Sequence, residues 1–298
     1  MKLLFTGASG FIGRNIYPIL IKTYEVTTIG LAKEDDIYVN LIKDIPDLKH
    51  SYDIVLHAAG KAHFIPKTKS DEKIFFDVNL EGTKNLCRAL EIVGVPKSLI
   101  FVSTVAVYGV EEGENINENT PLRGNSPYAI SKIMAEEFLL EWCKRNNVLL
   151  SIIRPSLIAG INPPGNLGAM IEGIRKGRYF SIGGGKARKS VLMVHDIANL
   201  LPQLSQKGGI YNLCDSINPS FKDLEALISS QLGTKAPFSI PLLFAVLFAR
   251  IGDLFGDKAP INSLKLKKII RPLTFSNEKA KKEFNWTPLN VLDSFKIE

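Results

Sequence analysis

The chain has 298 residues, 45% of them hydrophobic, enough to bury a sizeable core in one or two domains. Its net charge of +7 is moderate. The lysines are scattered apart from two clusters, Lys265, Lys267 and Lys268, and Lys279, Lys281 and Lys282; this reads as a solvated face or a basic pocket for an anionic small molecule, not as a nucleic-acid site. Cys87, Cys143 and Cys214 lie far apart and lack metal-ligand spacing, which fits reduced core thiols in a cytoplasmic protein. No histidine pair has metal spacing either, so no metal is expected, and the N-terminus shows no signal-peptide pattern.

The first strand pattern, KLLFTG, breaks at once into LFTGASGFIG, where Gly7, Gly10 and Gly13 stand three apart. Glycine permits positive φ and lets a backbone or a ligand approach closely, so the three mark either a crowded bend or a cradle for an anion. Phe11, Ile12, Ile16, Ile19 and Leu20 then recur at helical spacing, so the turn leads into a helix start, where unpaired N–H groups and the dipole favour a phosphate. That position, between first strand and first helix, points to a dinucleotide. Strand patterns follow at EVTTIG, IYVNL, DIVLHAA, SLIFVSTVAVYG and LLSIIRPSLIAG, alternating with helical patterns over 11–23, 72–93 and 127–146. The alternation predicts an α/β fold with a doubly wound parallel sheet covered on both faces.

After Gly160 the pattern becomes mixed. A Pro/Gly-rich loop feeds a helix, a GGG turn separates two short strand patterns, and GIYNLCD reads as a further strand. We expect a dinucleotide-binding domain over 1–160, rejoined by 190–215, and a substrate-binding region over 161–189 and 216–298. Residues 238–255, FSIPLLFAVLFARIGDLF, are almost continuously apolar, yet the charge-free stretch ends at Ala249, before Arg250. That is too short to span a bilayer, and the segment reads as a buried helix or lid, with contact to a membrane surface as the alternative.

The residues that can do chemistry are concentrated in STVAVYG and SPYAISK. Tyr128 and Lys132 stand at i and i+4 near a helix start and share a face. An ammonium beside a phenol favours phenolate and lowers the tyrosine pKa, making it a proton donor or acceptor at a carbinol or carbonyl. Thr104 or Ser103, at the end of the preceding strand, would hold the same oxygen. His57 reads as a packed residue, whereas His63 follows the fourth strand at its carboxyl end, where open α/β sheets bind ligands. His195 beside Asp196 reads as a helix start.

Glycine turn, hydroxyl-ended strand and Tyr-x-x-x-Lys occur in the order and spacing of the extended short-chain dehydrogenase/reductase family. The chain resembles its nucleotide-sugar epimerase, dehydratase and ketoreductase branch through TGASGFIG, LHAAG, VNLEGTKNL, STVAVYG, SPYAISK, RPSLIAG and NEKAKKEFNWTP. The resemblance implies a Rossmann fold and NADP(H) or NAD(H) as cofactor. Gly7, Gly10 and Gly13 would pass the pyrophosphate over the helix start, with backbone N–H groups from Phe11 and Ile12. Asn40 and Leu41 would meet the adenine, Ala58, Ala59 and Gly60 would line the dinucleotide, and Asn79 would support the sheet beside the nicotinamide. Thr104, Tyr128 and Lys132 match the catalytic triad, the lysine also holding the nicotinamide ribose. Asn166 and Leu167 match the loop that meets the substrate diphosphate, and Arg188 or Lys189 matches a basic position near the nucleotide, with the register between them open.

Two departures from the family pattern narrow the activity. Many NAD-using relatives end the second strand in an acidic residue that binds ribose hydroxyls, whereas this strand runs VTTIGLAKED, with Gly30 and Leu31 there and Lys33 just beyond, which leans toward a 2′-phosphate and NADP. The 4,6-dehydratases place an Asp-Glu pair after the threonine; here Val105 and Ala106 follow, which disfavours dehydration. The resemblance therefore implies redox chemistry at C4 of a nucleotide-linked, UDP-type hexose. A 4-ketoreductase of a 4-keto-6-deoxy sugar is favoured over a UDP-hexose or UDP-N-acetylhexosamine 4-epimerase. A non-catalytic dinucleotide sensor and a dehydrogenase of another small alcohol are more distant alternatives. Homodimer formation through the helices over 72–93 and 127–146 is typical of the family.

Overall fold

The structure, a computed structural model, describes residues 1–62, 64–256, 259 and 261–297. The N-terminal half alternates strands and helices: β1 (Lys2–Thr6), α1 (Phe11–Leu20), β2 (Glu25–Gly30), β3 (Ile37–Tyr38), β4 (Ile54–His57), α2 (Lys69–Phe76), α3 (Gly82–Val93) and β5 (Ser98–Val102). There follow β6 (Gly113–Ile116), α4 (Pro127–Arg145), β7 (Leu149–Pro155), β8 (Leu157–Ala159), α5 (Gly165–Arg175), β9 (Ser181–Ile182) and β10 (Val191–Met193). The last third holds α6 (His195–Lys207), β11 (Gly209–Leu213), α7 (Phe221–Leu232), β12 (Ser239–Ile240), α8 (Leu242–Asp253), α9 (Ser263–Ile270), β13 (Leu273–Phe275), α10 (Glu278–Phe284) and α11 (Val291–Ser294).

Seven strands form one parallel sheet in the order β11-β7-β5-β4-β1-β2-β3. The order reverses at β1, so helices fall on both faces and the central strands read as unbroken apolar runs rather than alternating ones. Ile16 and Leu20 of α1 with Ile197, Leu201 and Leu204 of α6 cover one face. Leu86 and Leu90 of α3 with Ala135, Leu139 and Trp142 of α4 cover the other. A third cluster joins Leu167, Met170 and Ile171 of α5 to Leu224 and Ile228 of α7 and Val291 of α11. All three cysteines are buried free thiols.

The structure corrects three local expectations. IYVNL pairs only through Ile37 and Tyr38. The strand expected through STVAVYG stops at Val102; Thr104 caps a short 3-10 helix, Val105–Tyr108, which ends on Gly109 at φ 68°. The helix expected over 72–93 starts at Lys69, capped by Thr68, and is interrupted by a π-helical turn, Asp77–Glu81. The GGG turn does separate two short strands, β9 and β10; β9 pairs with β12, and β10 with β8.

The apolar segment over 238–255 is not a buried helix. Only Ala245, Ala249 and Gly252 of α8 are buried, and its leucines and phenylalanines face outward. Hydropathy alone does not say which face a helix turns in; here small residues won the inward positions. Among the described residues, no helix is long and apolar enough to cross a membrane.

Candidate active site

The three opening glycines have different tasks. Gly7 sits at φ 82°, and a Cβ there would come within 2.6 Å of the Ala59 nitrogen, so glycine lets the turn after β1 touch the turn after β4. A Cβ on Gly13 would collide with the carbonyls of Gly7 and Ala8, so this glycine lets α1 close on the turn. Gly10 differs: it is exposed, caps α1 without a side-chain bond, and a Cβ on it would approach only the Gly7 carbonyl, at 3.2 Å. It presents bare backbone outward at a helix N-terminus, beside the first-turn N–H groups of Phe11 and Ile12 that a helix leaves without internal partners. No side chain fills that space, which suits a diphosphate.

The floor of this turn is held by a buried relay. Thr83 donates to the Asn79 carbonyl (2.7 Å), so the His57 Nε2–H donates to Thr83 Oγ1 (2.8 Å) and Nδ1 accepts from Thr6 Oγ1 (2.6 Å). Burial, with the Lys132 charge second, pushes the His57 pKa down to about 3. A neutral imidazole bracing β1, β4 and α3 is structural, as its packed position suggests.

At the end of β2 the carboxylate missing from the strand is supplied from the loop. A Cβ on Gly30 would collide with the Asp35 carboxylate, whose Oδ2 accepts the Ala32 N–H at 2.9 Å. Asp36 folds back as well, accepting from the Thr28 N–H (2.8 Å). Lys33 is exposed. The strand end thus carries negative charge despite Gly30 and Leu31. Asn40 and Leu41 form the next turn: Asn40 Oδ1 accepts the Ile42 N–H (3.1 Å), and the Leu41 carbonyl accepts from Asn85 (2.8 Å).

Thr104, Tyr128 and Lys132 come together where β5 and α4 meet. Ser126 caps α4 and Pro127 opens it, which places Tyr128 in the first turn and Lys132 one turn later on the same face. Tyr128 is half-buried, and its phenol is held below α2 by Phe75 at 6.0 Å between ring centroids. Lys132 is buried, donates to the Val102 carbonyl (2.8 Å) and lies 4.5 Å from the Phe101 ring centroid. A Cβ on Gly60 would lie 3.2 Å from Lys132 Nζ and 3.0 Å from Asn79 Oδ1, so the loop after β4 closes on the same spot. Asn79, in the π-helical turn, accepts the Lys61 N–H (2.8 Å) and donates to Ser131 Oγ (2.9 Å), which donates to the Tyr128 carbonyl (2.8 Å). Asn79 is buried within that π-helical turn, a kind of irregularity that is frequent at functional sites.

The electrostatic expectation for Tyr128 is corrected. Burial raises its pKa, and the one opposing influence is a hydrogen bond from Thr104. The lysine does not lower it, because burial also depresses Lys132, to about 8, against the pull of Glu136, and its Nζ is engaged with a carbonyl.

Below the triad lies a buried ion pair that sequence spacing did not reveal. Glu136, one turn beyond Lys132, accepts from Ser103 Oγ and from Arg154 Nε (3.1 Å) and pairs with Arg154 Nη2 at 2.5 Å. Arg154 also donates to the Tyr108 hydroxyl (3.0 Å), which donates to Asn212 (2.6 Å). Both charges are nearly fully buried. The network locks the end of β5, the 3-10 turn and α4 in one arrangement. The available signal was a glutamate on the inward face of a helix and an arginine inside an apolar strand.

On the substrate side the predicted residues separate. Asn166 is exposed in the first turn of α5, but Leu167 is buried in the α5–α7 core, leaving only its backbone for a ligand. Arg188 is exposed and donates to the carbonyls of Ile217 and Asn218, whereas Lys189 turns the other way, to those of Lys268 and Arg271. His63 lies outside the described residues. Among those described, no cluster of three metal-ligating side chains occurs.

The chain is similar to known proteins. A model of the NAD dependent epimerase/dehydratase family matches residues 3–214. The N-acetyl-alpha-D-glucosaminyl-diphospho-ditrans,octacis-undecaprenol 4-epimerase of Escherichia coli O157:H7 is 29% identical over 300 residues, covering 94% of this chain and 88% of that protein. The GDP-6-deoxy-D-mannose reductase of Pseudomonas aeruginosa is 25% identical over 251 residues, covering 76% of this chain and 79% of its own. Among solved structures, RMD from Pseudomonas aeruginosa complexed with NADPH superimposes with a TM-score of 0.75 at 20% identity, covering 98% of this chain and 96% of that one. The Thermus thermophilus UDP-glucose 4-epimerase with NAD gives 0.71 at 23%, covering 97% and 94%. These two likenesses establish the fold.

Proposed function

The chain belongs to the NAD dependent epimerase/dehydratase family, and from that premise we propose that it is an NAD(P)-dependent enzyme that oxidises or reduces C4 of a diphosphate-linked hexose, running as a 4-ketoreductase. The observation that carries this is the meeting of Thr104, Tyr128 and Lys132 beside Gly60 and Asn79, next to the open glycine turn at Gly10. When bound, the dinucleotide supplies or accepts the hydride. Gly10, Phe11 and Ile12 would hold its diphosphate, Ala58, Ala59 and Gly60 its flank, and Lys132 its nicotinamide ribose.

Tyr128 does the proton chemistry. Its raised pKa keeps the phenol protonated at neutral pH, which suits a group that donates to the C4 oxygen as a carbonyl becomes an alcohol. Thr104 steadies the phenolate left behind. Val105 and Ala106 offer no carboxylate for dehydration. Asn166 and Arg188 are exposed polar groups on the substrate side, with the sugar carrier a nucleotide or, as in the Escherichia coli relative, a polyprenol. The division into a cofactor domain over 1–160 with 190–215 and a substrate region over 161–189 and 216–298, pairing of two copies through α3 and α4, and a cytoplasmic location complete this reading.

A second reading, a 4-epimerase, is favoured by one observation: the Asp35 carboxylate at the end of β2 sits where a 2′-phosphate would be repelled and ribose hydroxyls accepted, so NAD is preferred over NADP there. The experiment is to identify the nucleotide carried through purification and to assay both reactions. Reduction of a 4-keto-6-deoxy hexose diphosphate by added NADPH or NADH supports the reductase. Retained NAD⁺ with interconversion of C4 epimers and no added cofactor supports the epimerase. Neither activity, with no UDP- or GDP-sugar or polyprenyl-diphosphate sugar raising Tm, overturns both.

A further inference from the structure

We propose that α8 and the strand edge beside it dock the protein on an anionic lipid bilayer. The helix is inverted relative to an ordinary surface helix. Ala245, Ala249 and Gly252 face inward against Leu266 of α9, and a Cβ on Gly252 would collide with the Ile261 carbonyl. The large side chains face out: Leu243 is 78% exposed, Leu254 83% and Phe255 67%, with Leu247 and Phe248 more than half exposed. A helix on the surface of a water-soluble fold turns charge outward instead. Leu243 and Leu247 at i and i+4, Arg250 at i+7 and Leu254, the capping residue at i+11, share one face of a helix roughly 18 Å long.

The patch continues beyond the helix. Phe238 and Phe180 are exposed on either side of the β9–β12 pair, where the Phe238 carbonyl accepts the Ser181 N–H (3.0 Å). Cations lie in and beside it. Lys235 lines the same cleft as the two phenylalanines, Lys267 is exposed on α9, and Arg250 stands within the α8 stripe, on a side chain long enough to carry its charge back to headgroup level. None of the ion pairs among the described residues includes these three. The α8 acid, Asp253, is held by Ser263.

That charge decides the occupant. A symmetric contact with a second copy would bring two faces of the same positive sign together, whereas anionic headgroups complement them. A 12-residue helix cannot span a bilayer, so it lies in the interface plane with its leucine stripe in the acyl boundary. Docking is independent of the C4 reaction, because its test reads binding rather than turnover.

The test is co-sedimentation of the full chain with vesicles of phosphatidylcholine alone and of phosphatidylcholine mixed with phosphatidylglycerol, at about 0.1 M salt. The chain should pellet with the anionic vesicles. The triple variant Leu243→Ser, Leu247→Ser, Leu254→Ser should keep the parent's melting curve and lose binding by about tenfold or more. Lys235→Glu with Lys267→Glu should remove the preference for anionic vesicles. In case the triple variant folds poorly, Leu243→Trp provides a second readout: its emission should shift to the blue on anionic vesicles, while the native Trp142 and Trp286 are buried. Absence of vesicle binding, undiminished binding by a folded triple variant, or no emission shift overturns the proposal. So does a concentration-dependent dimer that the triple variant abolishes, which would give the face to a second copy.

Discussion

Beneath Tyr128 the molecule buries a full ion pair, and along α8 it exposes a row of leucines and phenylalanines. Glu136 and Arg154 are 1% and 3% exposed and satisfied by Ser103, Tyr108 and each other. Leu243 and Leu254 are more than three-quarters exposed and satisfy nothing in the chain. A buried charge is tolerated only with its partners in fixed places, so that cluster specifies one geometry for α4 and the end of β5. An exposed leucine contributes little to the fold, so its presence points to something outside it. Substitutions should therefore separate the two regions: the first is sensitive in folding and turnover, the second nearly silent in both.

The largest effect belongs to the group that the buried cluster positions. Tyr128→Phe keeps the ring and removes the proton, so kcat should fall about 10²- to 10⁴-fold while Tm and cofactor affinity hold, by steady-state kinetics and titration. Near-native turnover would mean that the proton moves by another route. Next, Arg154→Met leaves Glu136 buried without its cation and should cost about 3–5 kcal/mol in urea unfolding. Adding Glu136→Met should recover more than half of that loss. If the double variant is no better than the single one, the pair is not what makes this region sensitive.

Lys132 adds a pH signature. Its pKa is lowered from 10.5 to about 8 by burial, so between those values the folded chain has released a proton that the unfolded chain still holds. Stability of the cofactor-free protein should therefore rise from about pH 8 to about pH 10.5, by on the order of 3 kcal/mol from this group. Lys132→Met should flatten that rise, as melting curves across the range would show. Gly10→Val should weaken cofactor binding at least about tenfold, roughly 1.4 kcal/mol, without changing the apo Tm. Gly13→Val should instead destabilise the fold, because its Cβ meets backbone. At the small end, Leu247→Ser should change unfolding free energy by no more than about 0.5 kcal/mol.

Local spacing carried the site as far as local spacing can. Gly7, Gly10 and Gly13 announced a turn into a helix, and Tyr128 and Lys132 announced a shared face, because both patterns fit within one or two helical turns. Glu136 and Arg154 are 18 residues apart on different elements, and no period links them. The end of β5 was missed for a different reason. TVAVYG is rich in β-branched and aromatic residues, but the Thr104 cap and the left-handed Gly109 break the strand after Val102. The inversion of α8 was hidden because an apolar run reads the same whether its leucines face the core or solvent. Asp35 shows the limit most plainly: the strand-end position holds glycine, yet a carboxylate folds back into that space from five residues away.

The central claim, hydride transfer at C4, is tested most directly by isotope. Supplied with a nucleoside-diphosphate-linked 4-keto-6-deoxy hexose and a reduced nicotinamide cofactor carrying deuterium at both hydrogens of its reactive carbon, the enzyme should yield a sugar with deuterium at C4 alone, seen by NMR and as a gain of one mass unit, about one atom per turnover. Product formed without deuterium, or with deuterium at any other carbon, would contradict the account.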